Sequence, residues 1–313
     1  MSEELAIPQE GMESLAESAD LWEQHADEEH WSAVLLKSLW NDKTALFGMF
    51  ILLIVVLMAL LAPVVSPMDP NKQSLTRVMR PPLWTGEGHT FIMGTDHLGR
   101  DLLSRIIYGS RVSLIVGVFS VFFSGGLGLV IGMAAGYFGG KVDFLLMRVA
   151  DFVLSFPFIL LALATIAILG PSLGLMITVI SLRLWTGYAR IVRGKVLMLR
   201  ETEFVMAAKG IGGSDIRVLS FHILPNVMAP LIIIGSLYLG RMIVIEAGLS
   251  FLGLGVPPPT PTWGGLLAEG RSYLYVSWWI VTFPGLAITL TVLGANLVGD
   301  WLRDVLDPRL KSR

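Results

Sequence analysis

The sequence contains no cysteine. That excludes disulfides, thiol nucleophiles and cysteine-held metals, and it leaves the redox compartment unreadable. Charge is also scarce: 15% of the residues are Asp, Glu, Lys or Arg, against about 25% in an ordinary soluble domain. A formal net charge of −2 offers no footprint for nucleic acid. A phosphate-binding loop is missing as well. Gly140-Lys141 runs into Val142 and Gly194-Lys195 into Val196, and neither pair has the upstream glycine that lets backbone amides cradle phosphate. The five histidines are scattered and form no His-Glu-x-x-His. No catalytic group, metal site or cofactor is therefore expected in this chain. A cleavable leader is not expected either, because the first apolar block begins near Ala45 and comes after an acidic stretch rather than a basic one.

What the chain has in abundance is apolar sequence, 54% of all residues, with a mean hydropathy of +0.68. It comes in long blocks. A helix needs ~20 apolar residues to cross the hydrocarbon core, and six segments satisfy this: about 44–65, 112–138, 146–169, 172–192, 228–254 and 277–300. Backbone polar groups in lipid must be paired within a segment or a closed barrel. The period-two alternation of a barrel is absent, so the expected fold is an all-α membrane protein with six transmembrane helices. Residues 1–30 are acidic and aperiodic and read as a mobile tail. Trp31, Val34, Leu35, Leu39 and Trp40 recur at helical spacing, so 31–43 reads as a helix on the membrane surface, or else as the frayed start of the first span. A first span at 44–66, an outer loop at 67–110, a five-helix core at 111–304 and a tail at 305–313 complete the division.

Basic residues orient the chain. Arg190, Arg193, Lys195, Arg200, Lys209 and Arg217 lie between the fourth and fifth spans, and Arg303, Arg309, Lys311 and Arg313 lie at the C-terminus. Both clusters belong in the cytoplasm by the positive-inside rule, and six spans then place the N-terminus there too. The loop 66–111 resists this reading. It is expected outside, yet it holds Lys72, Arg77, Arg80, Arg100, Arg105 and Arg111.

Residues 201–226 are too polar to span and read as two short helices with a break. Glu201 and Glu203 suit a first turn, Gly212 and Gly213 a left-handed stop, Ser214 an N-cap, and Pro225 the end of the second helix. Phe204, Ile211, Ile216, Leu219 and Phe221 then need a partner surface, on this chain or on another protein. In the spans, Gly128, Gly132 and Gly136 are four apart and suit close helix packing, and Pro157 is expected to kink the third span. Arg183, Arg241 and Glu246 are charges inside spans, which are costly and mark pathways by default. With Ser250 they are candidates to line a wet pathway; the alternative is that the charges pair with each other or with a partner. Two such arginines suit anionic cargo groups, such as peptide carboxylates. Arg148 and Asp151 are three apart and suit a local ion pair. The run Pro257-Pro258-Pro259-Thr260-Pro261 favours a stiff backbone, with Trp263 at the interface, forming a rim for an external partner or a tight connection.

The polar step resembles the Glu-Ala-Ala loop of binding-protein-dependent ABC importer permeases. Met206-Ala207-Ala208 aligns with Glu-Ala-Ala, Gly212 with the next Gly of the pattern, and Ile223-Leu224-Pro225 with the closing element. Met206 departs from the family's Glu, for which Glu203 is the nearby substitute. Gly187 to Gly194 is also similar to the family. Gly94-Thr95-Asp96-His97-Leu98-Gly99-Arg100-Asp101, the run Glu246 to Gly255, and Gly299-Asp300-Trp301-Leu302-Arg303-Asp304 narrow the resemblance to the second permease subunit of the dipeptide/oligopeptide/nickel branch. The resemblance implies the type I ABC importer permease fold with cytoplasmic coupling helices and an inner-membrane location. It implies a heterodimer with a sister permease embedded in membrane lipid. Two ATPase subunits would bind ATP and Mg, and a periplasmic or lipid-anchored binding protein would deliver cargo. It also implies that Met206, Ala207, Ala208, Gly212, Ser214, Asp215, Leu224 and Pro225 dock an ATPase. An ATP-independent secondary transporter or channel is the competing class, and it calls for inverted repeats that the sequence does not display. A membrane scaffold without transport is the third class.

Overall fold

A computed structural model of the protein describes residues 37–306. The acidic tail, residues 31–36 of the expected surface helix, and residues 307–313 lie outside the described residues. Residues 37–41 are helical. From there the chain forms α1 (Lys43–Leu60), α2 (Ala62–Val65), β1 (Trp84–Gly86), β2 (His89–Phe91), α3 (Leu102–Phe138), α4 (Gly140–Ser155), α5 (Phe158–Leu169), α6 (Leu173–Leu199) and α7 (Glu203–Gly210). The short α8 (Asp215–Arg217), a π-helical stretch Val218–Ile223, α9 (Leu224–Phe251), α10 (Trp263–Gly270) and α11 (Trp279–Leu306) complete it.

Among the described residues five helical runs are long and apolar enough to cross a membrane: α1, α3, α6, Asp215–Phe251 and α11. A sixth is available if α4 and α5 count as one span, broken at an angle of 84°. The break falls at Pro157, which is the N-cap of α5. Proline cannot donate to the preceding turn and disfavours α-geometry at Phe156 before it, and Phe156 is accordingly extended (φ −90°, ψ 134°). The architecture is that of a helical membrane protein.

The centre of the bundle is the pairing of α3 with α6. A Cβ at Gly128 would lie 2.4 Å from Tyr188 Cβ, at Gly132 2.6 Å from the Ala189 carbonyl oxygen, and at Gly136 2.7 Å from Val196 Cβ. The three glycines form the groove that receives α6, which is the packing their spacing predicts. Gly48 and Gly294 do the same for α1 and α11, where a Cβ at Gly48 would meet Leu297 Cβ at 2.8 Å.

The segment between α2 and α3 is folded rather than loose. β1 and β2 pair antiparallel, with Trp84 opposite Phe91. Glu87 and Gly88 join them, both at positive φ, the geometry of a tight two-residue hairpin turn. Three of the six basic residues that conflicted with the orientation rule, Arg77, Arg100 and Arg105, are paired with carboxylates within the chain. Arg77 lies 3.4 Å from Glu87, Arg100 and Arg105 bind Asp96 and Glu269, and Arg111 on α3 donates to the carbonyls of Ala59 and Leu60.

Three local expectations are corrected. Arg148 and Asp151 do not pair: Asp151 takes Arg190 of α6 at 2.7 Å, and Arg148 lies over the Phe144 ring. The inter-helix partner wins because α4 packs along α6, where Asp143 and Arg193 also meet at 2.5 Å. Trp263 is not interfacial. It is fully buried and its indole donates to the Ile106 carbonyl at 3.0 Å. Pro225 does not end a helix. It sits in the first turn of α9, after π-helical geometry in which Leu224 N–H reaches back to the Leu219 carbonyl. That wider turn absorbs the missing donor, and the Asn226 side-chain amide donates to the His222 carbonyl at 2.8 Å.

Candidate functional site

Three groupings stand out from the scaffold: a polar step between α6 and α9, a set of charges inside the spans, and an ion network beyond the start of α3.

The step begins where α6 ends at Leu199. Gly212 adopts a positive φ of 86°, and a Cβ on Gly213 would meet the Ala208 carbonyl oxygen at 2.6 Å, so both glycines are required by the turn. Ser214 caps α8 by accepting from Arg217 N–H. One side of the step is sealed: Val205, Ala208, Val218 and Ile223 pack on Tyr137, Val192, Val196 and Leu199. The Tyr137 hydroxyl donates to Asp215 Oδ1 at 2.6 Å, Lys209 lies 4.3 Å over the same ring, and Arg200 donates to the Gly136 carbonyl. The other side is open. Phe204, Met206, Ile211, Ile216 and Phe221 are all exposed, Ile211 to 89%. Of the residues assigned to docking, Met206, Ala207, Gly212, Ser214, Asp215 and Pro225 are exposed, Leu224 is half-buried and Ala208 is turned into the core. Burying such apolar side chains is worth about 1.5–3 kcal/mol each, which gives the open face a strong drive to be covered.

Inside the spans, charge at mid-bilayer costs at least about 2.5–3.5 kcal/mol. Glu246 is fully buried and accepts from Ser113 of α3 at 3.0 Å and Ser250 at 2.7 Å. Glu246 and Ser250 therefore face α3. Arg183 and Arg241 behave differently. Among the described residues neither is paired with a carboxylate. Arg183 Nε is buried without a hydrogen-bond partner, while Arg241 is exposed and lies 5.7 Å from the Tyr238 ring centre. The expected alternative, that these charges pair with one another, does not occur within the described residues.

The third grouping was not assembled from the sequence. Asp96 is fully buried and receives Arg100 at 2.6 Å and Arg105 at 2.7 Å. The same two arginines reach Glu269 of α10 at 2.6 and 2.7 Å. Burial raises the Glu269 carboxyl, but the hydrogen bond from Arg105 and the charges of Arg105, Arg100 and His97 outweigh it and hold the group below its ordinary value. Asp101 caps α3 by accepting from Ser104; burial pushes its carboxyl up. Asp96, His97 and Glu269 converge closely enough to hold a metal ion. Both carboxylates are already taken by guanidinium groups, so the arrangement is an internal ion network. Trp279 donates to the Thr95 carbonyl at 3.0 Å, so α10, α11 and the start of α3 are fastened together. The only sequence signal was the run Gly94–Asp101; Glu269, far away in the chain, gave none.

Comparison with known proteins places this geometry. The family described as "Binding-protein-dependent transport system inner membrane component" matches residues 128–312, and the N-terminal TM domain of oligopeptide transport permease C matches residues 31–82. The di/tripeptide transport system permease protein DppC of Pseudomonas aeruginosa (strain UCBPP-PA14) is 44% identical over 284 residues, covering 88% of this chain and 93% of that protein. The dipeptide transport system permease protein DppC of Alkalihalophilus pseudofirmus is 42% identical over 276 residues, covering 88% and 89%. An inward-facing structure of the MetNI methionine ABC transporter superposes with a TM-score of 0.54 at 18% identity, over 66% of this chain and 98% of that one, a likeness of fold. With a sealed helical step, apolar spans and these relatives in hand, the chain belongs to the family of binding-protein-dependent transport system inner membrane components.

Proposed function

We propose that this permease subunit carries peptides inward as half of a heterodimeric pathway in the bacterial inner membrane, with both termini and the step Glu203–Ile223 in the cytoplasm. ATP hydrolysis belongs to separate ATPase subunits. The open face of the step is where one of them docks, and that subunit holds ATP and Mg. The observation that carries the reading is the two-sidedness of the step: one face is fixed to α3 and α6, and the other presents exposed Phe204, Met206, Ile211, Ile216 and Phe221. Exposed Met206 places a flexible thioether at that face, suited to packing against a partner. ATP shifts the permease between inward- and outward-facing states only if the docked ATPase holds the step differently in the two. A sister permease supplies the other half of the pathway and a solute-binding protein supplies cargo. The peptide assignment draws on the relatives' names and on the pair of unpaired arginines.

The test uses the assembled complex in its native membrane. Ile211→Ser with Phe221→Ser should leave the permease pair intact and lower ATPase co-purification and ATP-driven dipeptide uptake by at least about tenfold, given the burial each residue contributes. Retention of both, or labelling of single cysteines at 211 from the outer side of the membrane, defeats the proposal.

A further inference from the structure

We propose that Arg183 and Arg241, with Tyr238 between them, form one carboxylate-recognition patch at mid-membrane depth that receives the terminal carboxylate of the peptide in transit. This rests on the permease reading above and adds a specific contact to it.

The patch draws on two neighbouring helices, α6 and α9. Arg183 and Gly187 are four residues apart on α6 and share a face. A Cβ on Gly187 would lie 3.0 Å from the Tyr238 hydroxyl, so the absent side chain lets that hydroxyl seat against α6. Three residues on from Tyr238 along α9, and so on the same face, Arg241 places its guanidinium carbon 5.7 Å from the Tyr238 ring centre. Tyr188 braces the Tyr238 ring edge-on, with centroids 5.1 Å apart.

Among the described residues no carboxylate pairs with either arginine of the patch. Its nearest carboxylate in sequence, Glu246, is committed to Ser113 and Ser250. Asp151 and Asp143 on α4 are held by Arg190 and Arg193. What remains is two guanidinium groups, one with a buried unpartnered Nε, and a tyrosine hydroxyl. Guanidinium presents its donors in a planar fork that matches a carboxylate. Phospholipid phosphates sit at the bilayer faces, whereas both arginines lie ten residues inside the nearer end of a long apolar helix. A peptide carboxylate passing along the pathway is the anion that reaches this depth.

The experiment uses the complete importer with its sister permease, ATPases and binding protein, reconstituted in vesicles, with dialanine and trialanine as probes. The double variant Arg183→Gln, Arg241→Gln should reduce peptide moved per ATP hydrolysed about tenfold or more, the scale of a lost charge-assisted contact. It should leave subunit assembly and the ATPase stimulation by loaded binding protein in place. The Arg183→Lys, Arg241→Lys variant keeps the charge but loses the planar fork, and its uptake should fall between the glutamine variant and wild type. Unchanged uptake in the glutamine variant overturns the patch, as does equal loss in the lysine variant. Loss of the sister subunit on purification also overturns it, because the arginines then serve an intersubunit ion pair. Failure of the wild-type complex to drive either peptide with ATP removes the permease reading itself, and is seen before any variant is made.

Discussion

The Tyr137 hydroxyl donates to Asp215 Oδ1 across 2.6 Å, joining the last turn of α3 to the first turn after the Gly212 break. A hydrogen bond to a charged acceptor contributes about 1.5–3 kcal/mol when protected, less where water competes. Tyr137→Phe keeps the ring under Lys209 and removes only this bond. Amide exchange in Glu203–Arg217 should quicken several-fold, with the rest of the chain unchanged. Identical exchange in the variant would show that the apolar seal alone holds the step.

The α3–α6 groove sets a steric limit. Gly128→Leu would drive a side chain into Tyr188 and the Trp185 carbonyl, and overpacking of this kind costs about 1–3 kcal/mol. At Gly126 a Cβ meets nothing within 4 Å, so Gly126→Ala should be silent. Thermal unfolding in detergent should separate the two. Equal behaviour would mean that α3 and α6 do not pack through this face.

The Glu269 carboxyl is held below its ordinary value of 4.5. A group with a lowered folded-state pKa contributes stability that is present above its unfolded pKa and lost as pH falls through the folded one. The junction of α10 with the start of α3 should therefore hold above about pH 4.5 and loosen progressively below it. Glu269→Gln should remove that acid limb and lower stability at neutral pH. Asp96→Ala should be worse, at about 3–5 kcal/mol, because two buried arginines lose a shared partner. A melting profile for Glu269→Gln that still falls on acidification as steeply as wild type would dismiss Glu269 as the cause.

Glu246 is an acceptor for Ser113 and Ser250 at once. Glu246→Ala strands both hydroxyls and should cost about 2–3 kcal/mol. Glu246→Gln retains an acceptor of the same shape and should cost less than half as much. The two variants should differ in melting temperature but not in ATPase capture, since the residue is remote from the step.

Much of the architecture was legible because lipid enforces it. Long apolar blocks admit only helices, so the spans, the Pro157 break and the glycine groove come out of spacing alone. What was not legible depended on partners distant in sequence. The i,i+3 proximity of Arg148 and Asp151 was real, but α6 supplied Arg190 to Asp151 instead. Trp263 reads as an interfacial aromatic until the Ile106 carbonyl is known to lie beside its indole. Glu269 carries no local signal, and its role exists only because Arg100 and Arg105 converge on it. At the step, caps and glycines were readable from local chemistry, whereas the π-helical turn was not: Pro225 looks like a terminator unless the preceding turn widens.

That widened turn has a mechanical corollary. Asp215 to Phe251 is one unbroken helical run of 37 residues, about 55 Å at 1.5 Å per residue. A rigid run of this length is a lever, with one end next to Ser214 and the other beside the Glu246–Ser113 clasp. A tilt of only about five degrees would sweep that end through roughly 5 Å, more than a hydrogen bond's reach. Leverage of this kind lets a small displacement at one membrane face be felt at the other without any relay of side chains between them.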